Sequence, residues 1–405
     1  MYTGSCTVTD RYADISGPHV TAGSGTVWER NGKRMGKSCS VYVRNAQRGP
    51  ACYYRIVQYA EEIDTKQEFV YHSALSETEF ERNLNCSHIC LKKVFQGYLF
   101  LRIVCRRLTA LLADLTVWHP KAVVIQREVF PRRMPLLPGM LLVLLARRTR
   151  VIWDFDDDIF VSGEISKREQ KLLLKISTYI VVISPYAKKL LPRNCQKKVI
   201  VMPTTEKCFL GYQLEDLLAG RKKTYGKTIR MIWAGTSGNL RYLDGIMPEL
   251  DEAAGILGRT LGKTLTLMVV CNQNYDFKGL KALTVENITW SRELAKACMI
   301  RAHIAVMPLE DSRFAKGKGG FKLVQCIASG IPVIASDVGY NNNIADRQTG
   351  FLIRGKNGGE WKHAVLALSG DVDIWERYCR CAYEKYWNDF DFNKNLDIWK
   401  QMLMV

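Results

Sequence analysis

The sequence predicts an α/β protein made of two doubly wound domains in series, facing each other across a deep cleft. Three observations predict it. Short apolar, strand-like runs alternate with helical patterns, as in a parallel sheet covered on both faces. The polar, basic stretch 206–227 interrupts that alternation, which then restarts. The chain has 405 residues, 47% of them apolar, which is enough for two cores of ordinary size.

Along the chain, residues 1–36 are polar and Gly/Ser-rich without periodicity, and they read as an unstructured leader. A short alternating strand at 40–44 starts the first domain, expected over 37–205. A loop with Gly49 and Pro50 and a helix around 56–63 follow. Further strands are expected at 68–73, 122–126, 151–155, 180–184 and 199–202, with helices at 91–115 and 136–147 between them. Residues 206–227 read as a linker. The second domain is expected over 228–386, with strands at 229–234, 265–270, 288–290, 304–308, 332–335 and 351–353. Its helices are expected at 240–257, 292–301, 321–328, 360–368 and 372–386. Ligands of such domains sit at the carboxyl ends of the strands.

Net charge is +18, which suits an anionic partner: a phosphorylated small molecule, an acidic lipid surface or nucleic acid. The basic residues are dispersed and no helix-turn-helix or aromatic RNA-binding signature accompanies them, which argues against nucleic acid. The 13 cysteines are irregularly spaced and no secretory signal is visible, so a reducing, cytoplasmic setting is expected. Cys86-x3-Cys90 with His88, and Cys379-x-Cys381, lack a second half, so no metal site is expected. No run reaches the ~18 apolar residues of a membrane span. The helices at 91–115 and 136–147 carry Arg102, Arg106, Arg107, Arg147 and Arg148 beside apolar stripes. They suit either a core-facing stripe with a solvated face or an anionic membrane surface.

Two second-domain motifs bear on function. Trp233-Ala-Gly235-Thr236-Ser237-Gly238 runs from strand through a glycine turn towards a helix. Gly235 would let the backbone approach a ligand, and Thr236 and Ser237 offer hydroxyls and N–H groups where anions are favoured. An ordinary capped turn has the same form. In Lys318-Gly-Gly-Phe-Lys322-Leu-Val-Gln325 the polar residues are spaced i, i+4, i+7 and share a face if the helix starts by Lys318. Cations at a helix start oppose its dipole, and a bound diphosphate would reconcile them. Trp290 and His303 read as packing residues.

The stretch 229–353 resembles the nucleotide-sugar-binding domain of the retaining GT-B glycosyltransferases of family 4, a fold of two Rossmann-like domains. The resemblance rests on Trp233-Ala-Gly235-Thr-Ser, Met307-Pro308-Leu, the Lys318–Gln325 motif, Ser329-Gly-Ile-Pro332-Val-Ile-Ala-Ser336-Asp-Val-Gly339 and Gly350-Phe-Leu-Ile353. A weaker match in the first domain runs through Tyr54-Arg55, Gln126-Arg127-Glu128, Trp153–Phe160 and Met202-Pro203-Thr204. Many members carry two glutamates separated by seven residues; here those places fall on Gln325 and near Gly317. The related subgroup usually has a small residue at position 158, where this chain has aspartate. The resemblance implies transfer of a hexosyl-type sugar, with retention, from a nucleotide-diphosphate donor to a glycan or lipid-linked acceptor, the latter at the inner face of a membrane. It implies no dedicated metal and no cofactor beyond the donor substrate. It also implies that the terminal region 387–405 packs back on the first domain.

On that resemblance, Gly235, Thr236, Ser237, Lys318, Lys322 and Gln325 bind the donor. Lys318 and Lys322 also stabilise the leaving diphosphate. Asp154-Phe-Asp156-Asp157-Asp158 crowds four carboxylates after a buried strand, which requires cations or a function. Asp156 or Asp157 would hold hydroxyls or take the acceptor's proton, with Arg55, Arg127 and Glu128 on the acceptor side. A capping cluster paired with arginines is the bland alternative. Asp154-x-Asp156 also resembles the nucleophile pair of haloacid-dehalogenase phosphohydrolases, and Asp-x-Asp resembles the metal clamp of GT-A transferases. A GT-B-fold binding protein without turnover is the remaining reading.

Overall fold

The computed structural model describes residues 38–85, 89–355 and 358–404. The expected leader and the Cys86, His88 and Cys90 side chains lie outside the described residues. The described strands form two six-stranded sheets in which all neighbours are parallel. The first comprises β1 (Cys39–Val43), β2 (Phe69–Ser73), β3 (Ala122–Gln126), β4 (Arg150–Phe155), β5 (Tyr179–Val182) and β6 (Val199–Val201), in the order β2-β1-β3-β4-β5-β6. The second comprises β7 (Thr228–Ala234), β8 (Thr264–Cys271), β9 (Thr284–Thr289), β10 (Ile304–Met307), β11 (Val333–Ser336) and β12 (Gly350–Ile353), in the order β12-β11-β10-β7-β8-β9. Strand order reverses between β1 and β3 in one sheet and between β7 and β10 in the other. Those crevices are where doubly wound sheets bind ligands.

Both faces of each sheet are buried, and the strands alternate accordingly. Val151, Trp153 and Phe155 of β4 enter one core and Ile152 the opposite one. Ile229, Met231 and Trp233 of β7 enter one core, and Ile232 and Ala234 the other. The last helix, Phe392–Leu403, completes a core of the first sheet. Its Phe392, Leu396, Trp399 and Leu403 recur at helical spacing among Val41, Val124 and Ile152. Tyr59 stacks on Phe392 at 4.7 Å, and Asn395 Nδ2 donates to Pro203 O at 2.7 Å.

Several local expectations are corrected. The 206–227 segment is not simply a linker: Leu214–Tyr225 is a helix packed on the second domain. Its buried Arg221 donates to the carbonyls of Met299, Ile300 and Gly330. Helix 240–257 is two helices, Arg241–Asp244 and Met247–Leu261, divided at Gly245 and Ile246 before Pro248. The strand expected at 288–290 is β9, displaced towards its N-terminus, with Trp290 packed just beyond it. Arg107 is buried, bonded to the carbonyls of Val43, His72 and Val129, and so does not belong to a solvated basic face. His303 is a core histidine: Nδ1 accepts from Arg230 N at 2.9 Å, and burial pushes its pKa down to about 4.

One buried ion pair joins the first sheet to its opening helix. The chain from Pro50 to Ile63 is helical, with a π-helical turn at Tyr53–Val57 that carries Arg55 inward. The Arg55 guanidinium meets Asp154 of β4 at 2.5 Å, and donates to Met202 O at 2.6 Å. The two side chains are 1% and 0% exposed. Removing one member of such a pair strands the other charge, so Asp154→Ala should cost about 3–5 kcal/mol in urea unfolding. Arg55→Met with Asp154→Leu should recover much of that loss.

Candidate active site

The carboxyl ends of both sheets face one another, and the motif residues gather there. On the first domain, Arg127 follows β3 with a left-handed φ of 64°. Its guanidinium meets Asp156 at 2.7 Å, Asp157 at 2.5 Å and Glu164 at 3.1 Å. Asp154, Asp156 and Asp157 are thus shared between two arginines, Arg55 and Arg127. Glu128 is taken by Arg44 at 2.7 Å, so it is a buried structural partner and does not face an acceptor. Asp154 is equally enclosed, which removes it as a nucleophile and with it the phosphohydrolase reading.

The same electrostatics separate the two remaining aspartates. Burial opposes charge on Asp156, but Arg127 outweighs it and holds the pKa below the usual range. Burial and repulsion from Asp156 push Asp157 up to about 6, against the pull of Arg127. Asp157 is also the more open of the two, with 36% of its side chain exposed. It is therefore the group able to exchange a proton near neutrality.

On the second domain, Gly235 follows β7 at the reversal crevice. A Cβ there would meet the Trp233 ring at 2.6 Å, so that packing alone demands glycine. Ser237 N–H is already bonded to Asn272 Oδ1 at 2.9 Å, which corrects the expectation of a free donor. Thr236 accepts from Asn239, whose Oδ1 receives Lys318 Nζ at 2.7 Å. Asn239 therefore joins the glycine turn to the lysine motif, a role that its place in a turn gave no sign of.

Lys318 does not lie on a helix with Lys322 and Gln325. Gly320, at φ 61°, caps the helix Phe321–Ala328, leaving Lys318 in the approaching loop. Lys322 Nζ donates to Gln325 Oε1 at 3.0 Å, and Gln325 Nε2 donates to Glu206 Oε2 at 2.6 Å. Glu206 lies in the expected linker and carried no motif signal. Neither lysine has an ion-pair partner among the described residues. Desolvation lowers the pKa of both, only partly offset by Asp157 for Lys318 and Glu206 for Lys322. Two desolvated cations, one of them joined to the glycine turn through Asn239, call for an anion. A cavity of about 240 Å³ opens next to Gln325, walled by Tyr53, Tyr54, Glu206, Arg292 and Lys296. Among the described residues, no group of three or more His, Cys, Asp or Glu is placed to hold a metal ion.

Residues 233–371 match the family model described as glycosyl transferases group 1. The second domain is thus similar to group 1 glycosyltransferases over those residues. No curated protein matches the chain in sequence. Among solved structures, Anabaena Alr3699/HepE in complex with UDP and glucose is 12% identical, with a TM-score of 0.59 over 91% of this chain and 99% of that one. A glycosyltransferase from Rickettsia africae is 14% identical, with a TM-score of 0.56 over 91% and 99%. The N-terminal domain of Candida albicans trehalose-6-phosphate phosphatase is 11% identical, with a TM-score of 0.56 over 93% and 99%. At these identities the likeness is one of fold, and the fold is GT-B.

The loop behind Arg127 generates a pH prediction. Glu169, fully buried, accepts Val129 N–H at 2.5 Å and Phe130 N–H at 3.2 Å. Burial nevertheless raises its pKa from 4.5 to about 8. The folded state thus binds the proton more tightly than the unfolded state. The associated stability is complete below about pH 4.5 and is lost as pH rises through about 8. Unfolding midpoints should fall between pH 5 and 8, and Glu169→Gln should flatten that slope.

Proposed function

We propose that the protein transfers a hexose from a nucleotide-diphosphate sugar, with retention of configuration, to a glycan or lipid-linked acceptor. The observation that carries this reading is the pair Lys318 and Lys322, desolvated and without carboxylate partners at the mouth of a domain similar to group 1 glycosyltransferases. The complexes of Anabaena Alr3699/HepE with UDP and glucose, in the same fold, support a nucleotide-sugar donor.

Rupture of the anomeric C–O bond places negative charge on the diphosphate, and charges fixed beforehand stabilise it without reorganisation. Lys318 and Lys322 supply that charge, and the turn at Gly235–Ser237 shapes the floor beneath it. The cavity beside Gln325 gives room for the nucleoside. Asp157 takes the acceptor's proton, while Asp156, held ionised by Arg127, stays an acceptor of hydroxyls. Arg127 acts on the acceptor side by fixing these carboxylates in place, and Arg55 by fixing Asp154 beside them.

The test is thermal unfolding with UDP, GDP and ADP. One of them should stabilise the protein, by about 2.7 kcal/mol at roughly a hundred times its Kd. Lys318→Ala with Lys322→Ala should abolish the shift. No stabilisation by any nucleotide would overturn the donor assignment.

The acceptor side faces an unusual surface. Residues 89–153 contain 12 Lys and Arg but only two carboxylates, Asp114 and Glu128, both buried. Leu136, Leu137, Met140 and Leu144 form an exposed apolar ridge, flanked by exposed Arg132, Arg133, Arg147 and Arg148. No helix among the described residues is long and apolar enough to cross a membrane. This pattern supports attachment to an anionic lipid surface from one side. The protein should co-sediment with phosphatidylglycerol vesicles and not with neutral ones, and Leu137→Gln with Met140→Gln should weaken binding. No sedimentation with anionic vesicles would remove the membrane from the proposal.

A further inference from the structure

Asp158 stands apart from the arrangement that neutralises its neighbours. Arg55 takes Asp154, and Arg127 takes Asp156 and Asp157. Asp158 is 4% exposed, and both of its carboxylate oxygens are buried without a hydrogen-bond partner among the described residues. Its one ion-pair contact among the described residues is Arg313 Nε, 3.5 Å from Oδ2, on a side chain that is itself 64% exposed. Asp158 precedes the short helix Ile159–Ser162, but its side chain does not cap it.

The second domain encloses this carboxylate. A Cβ built on Gly317 would lie 2.9 Å from Asp158 Cβ, and one on Gly319 would lie 2.7 Å from Ile183 Cδ1. These two glycines let the lysine loop rest on the carboxyl ends of β4 and β5. A side chain at 317 and the aspartate at 158 compete for one volume. The next residue in the loop is Lys318, whose ammonium lies between Asn239 and the field of Asp157.

A buried carboxylate without donors is costly, and native structures satisfy such groups from protein, water or ligand. The position decides which ligand group. Lys318 holds the diphosphate in the reading above, and Asp158 lies where that loop meets the acidic strand end. The part of the donor attached to its diphosphate is the sugar, and sugar hydroxyls are hydrogen-bond donors. We propose that Asp158 accepts hydrogen bonds from hydroxyls of the donor sugar and is a specificity-determining residue for that sugar. The inference rests on the nucleotide-sugar reading.

The experiment is calorimetric titration with three ligand pairs: UDP and UDP-glucose, GDP and GDP-mannose, ADP and ADP-glucose. The wild type and Asp158→Asn are compared. For the pair that binds, Asp158→Asn should leave the free diphosphate within about twofold and weaken the sugar nucleotide about tenfold. Asp158→Ala should show the same split without a lower Tm, because it removes an unsatisfied buried charge. Equal loss for both ligands would overturn the proposal, since a latch between Asp158 and Arg313 would act that way. No change in either ligand would overturn it as well. If the wild type binds a diphosphate and the variants show no split, the Asp158 assignment alone fails. If the wild type binds no nucleotide, the donor reading and this inference fail together.

Discussion

Three of the four carboxylates that crowd the end of a buried strand are held there by two arginines from neighbouring elements. Arg55 arrives through a π-helical turn and Arg127 through a left-handed residue at the end of β3. Each conformation turns a long cation into a space that an ordinary helix or strand end would not reach. The rest of the site follows from this sharing of charge. Asp154 is spent on structure, Asp156 is kept ionised, and Asp157 is left with a pKa near neutrality. Glu128 and Glu164 answer to Arg44 in turn, so the charge network extends to the reversal crevice between β1 and β3. The network closes without the second domain for every carboxylate except Asp158.

The fold was legible in the sequence because both faces of both sheets are buried. Runs such as Val151–Trp153 and Met231–Ala234 are apolar at successive positions, as a doubly covered parallel sheet asks. Elements missed or misplaced are those whose stability comes from partners rather than pattern. The Leu214–Tyr225 helix looks polar in sequence and is held by a buried arginine bonded to backbone carbonyls. The edge strand β9 has exposed residues at Thr284, Glu286 and Asn287, so it lacks the apolar run that marks the inner strands. The break at Gly245 before Met247 is invisible to an apolar count, since Leu243 and Met247 are both buried at helical spacing.

The candidate donor site was legible as a set of residues and less so as geometry. The lysines, the glycine turn and Gln325 do converge, but a left-handed Gly320 removes Lys318 from the helix on which its spacing placed it. The glycines of that loop also serve a purpose that spacing cannot reveal: they admit Asp158 and Ile183 of the other domain. Glu206 and Asn239 carry no motif at all. They matter because they fix the amide of Gln325 and the ammonium of Lys318. Such partners are chosen by tertiary contact, and no local pattern announces them.

The charges left over are complementary in kind. On one wall of the cleft two ammonium groups have lost water and gained no carboxylate. On the other, a carboxylate has lost water and, among the described residues, gained only a long contact with the exposed Arg313. They do not simply pair with each other, since Lys318 is anchored on Asn239 and Lys322 on Gln325. A ligand that satisfied one wall alone would leave the other desolvated. A molecule with an anionic diphosphate joined to a hydroxyl-rich ring answers both, and it does so only when the domains are together. On this view binding and cleft closure are coupled. A free diphosphate would satisfy the lysines but leave Asp158 bare, whereas the complete donor would satisfy both walls and favour the closed form in which transfer occurs.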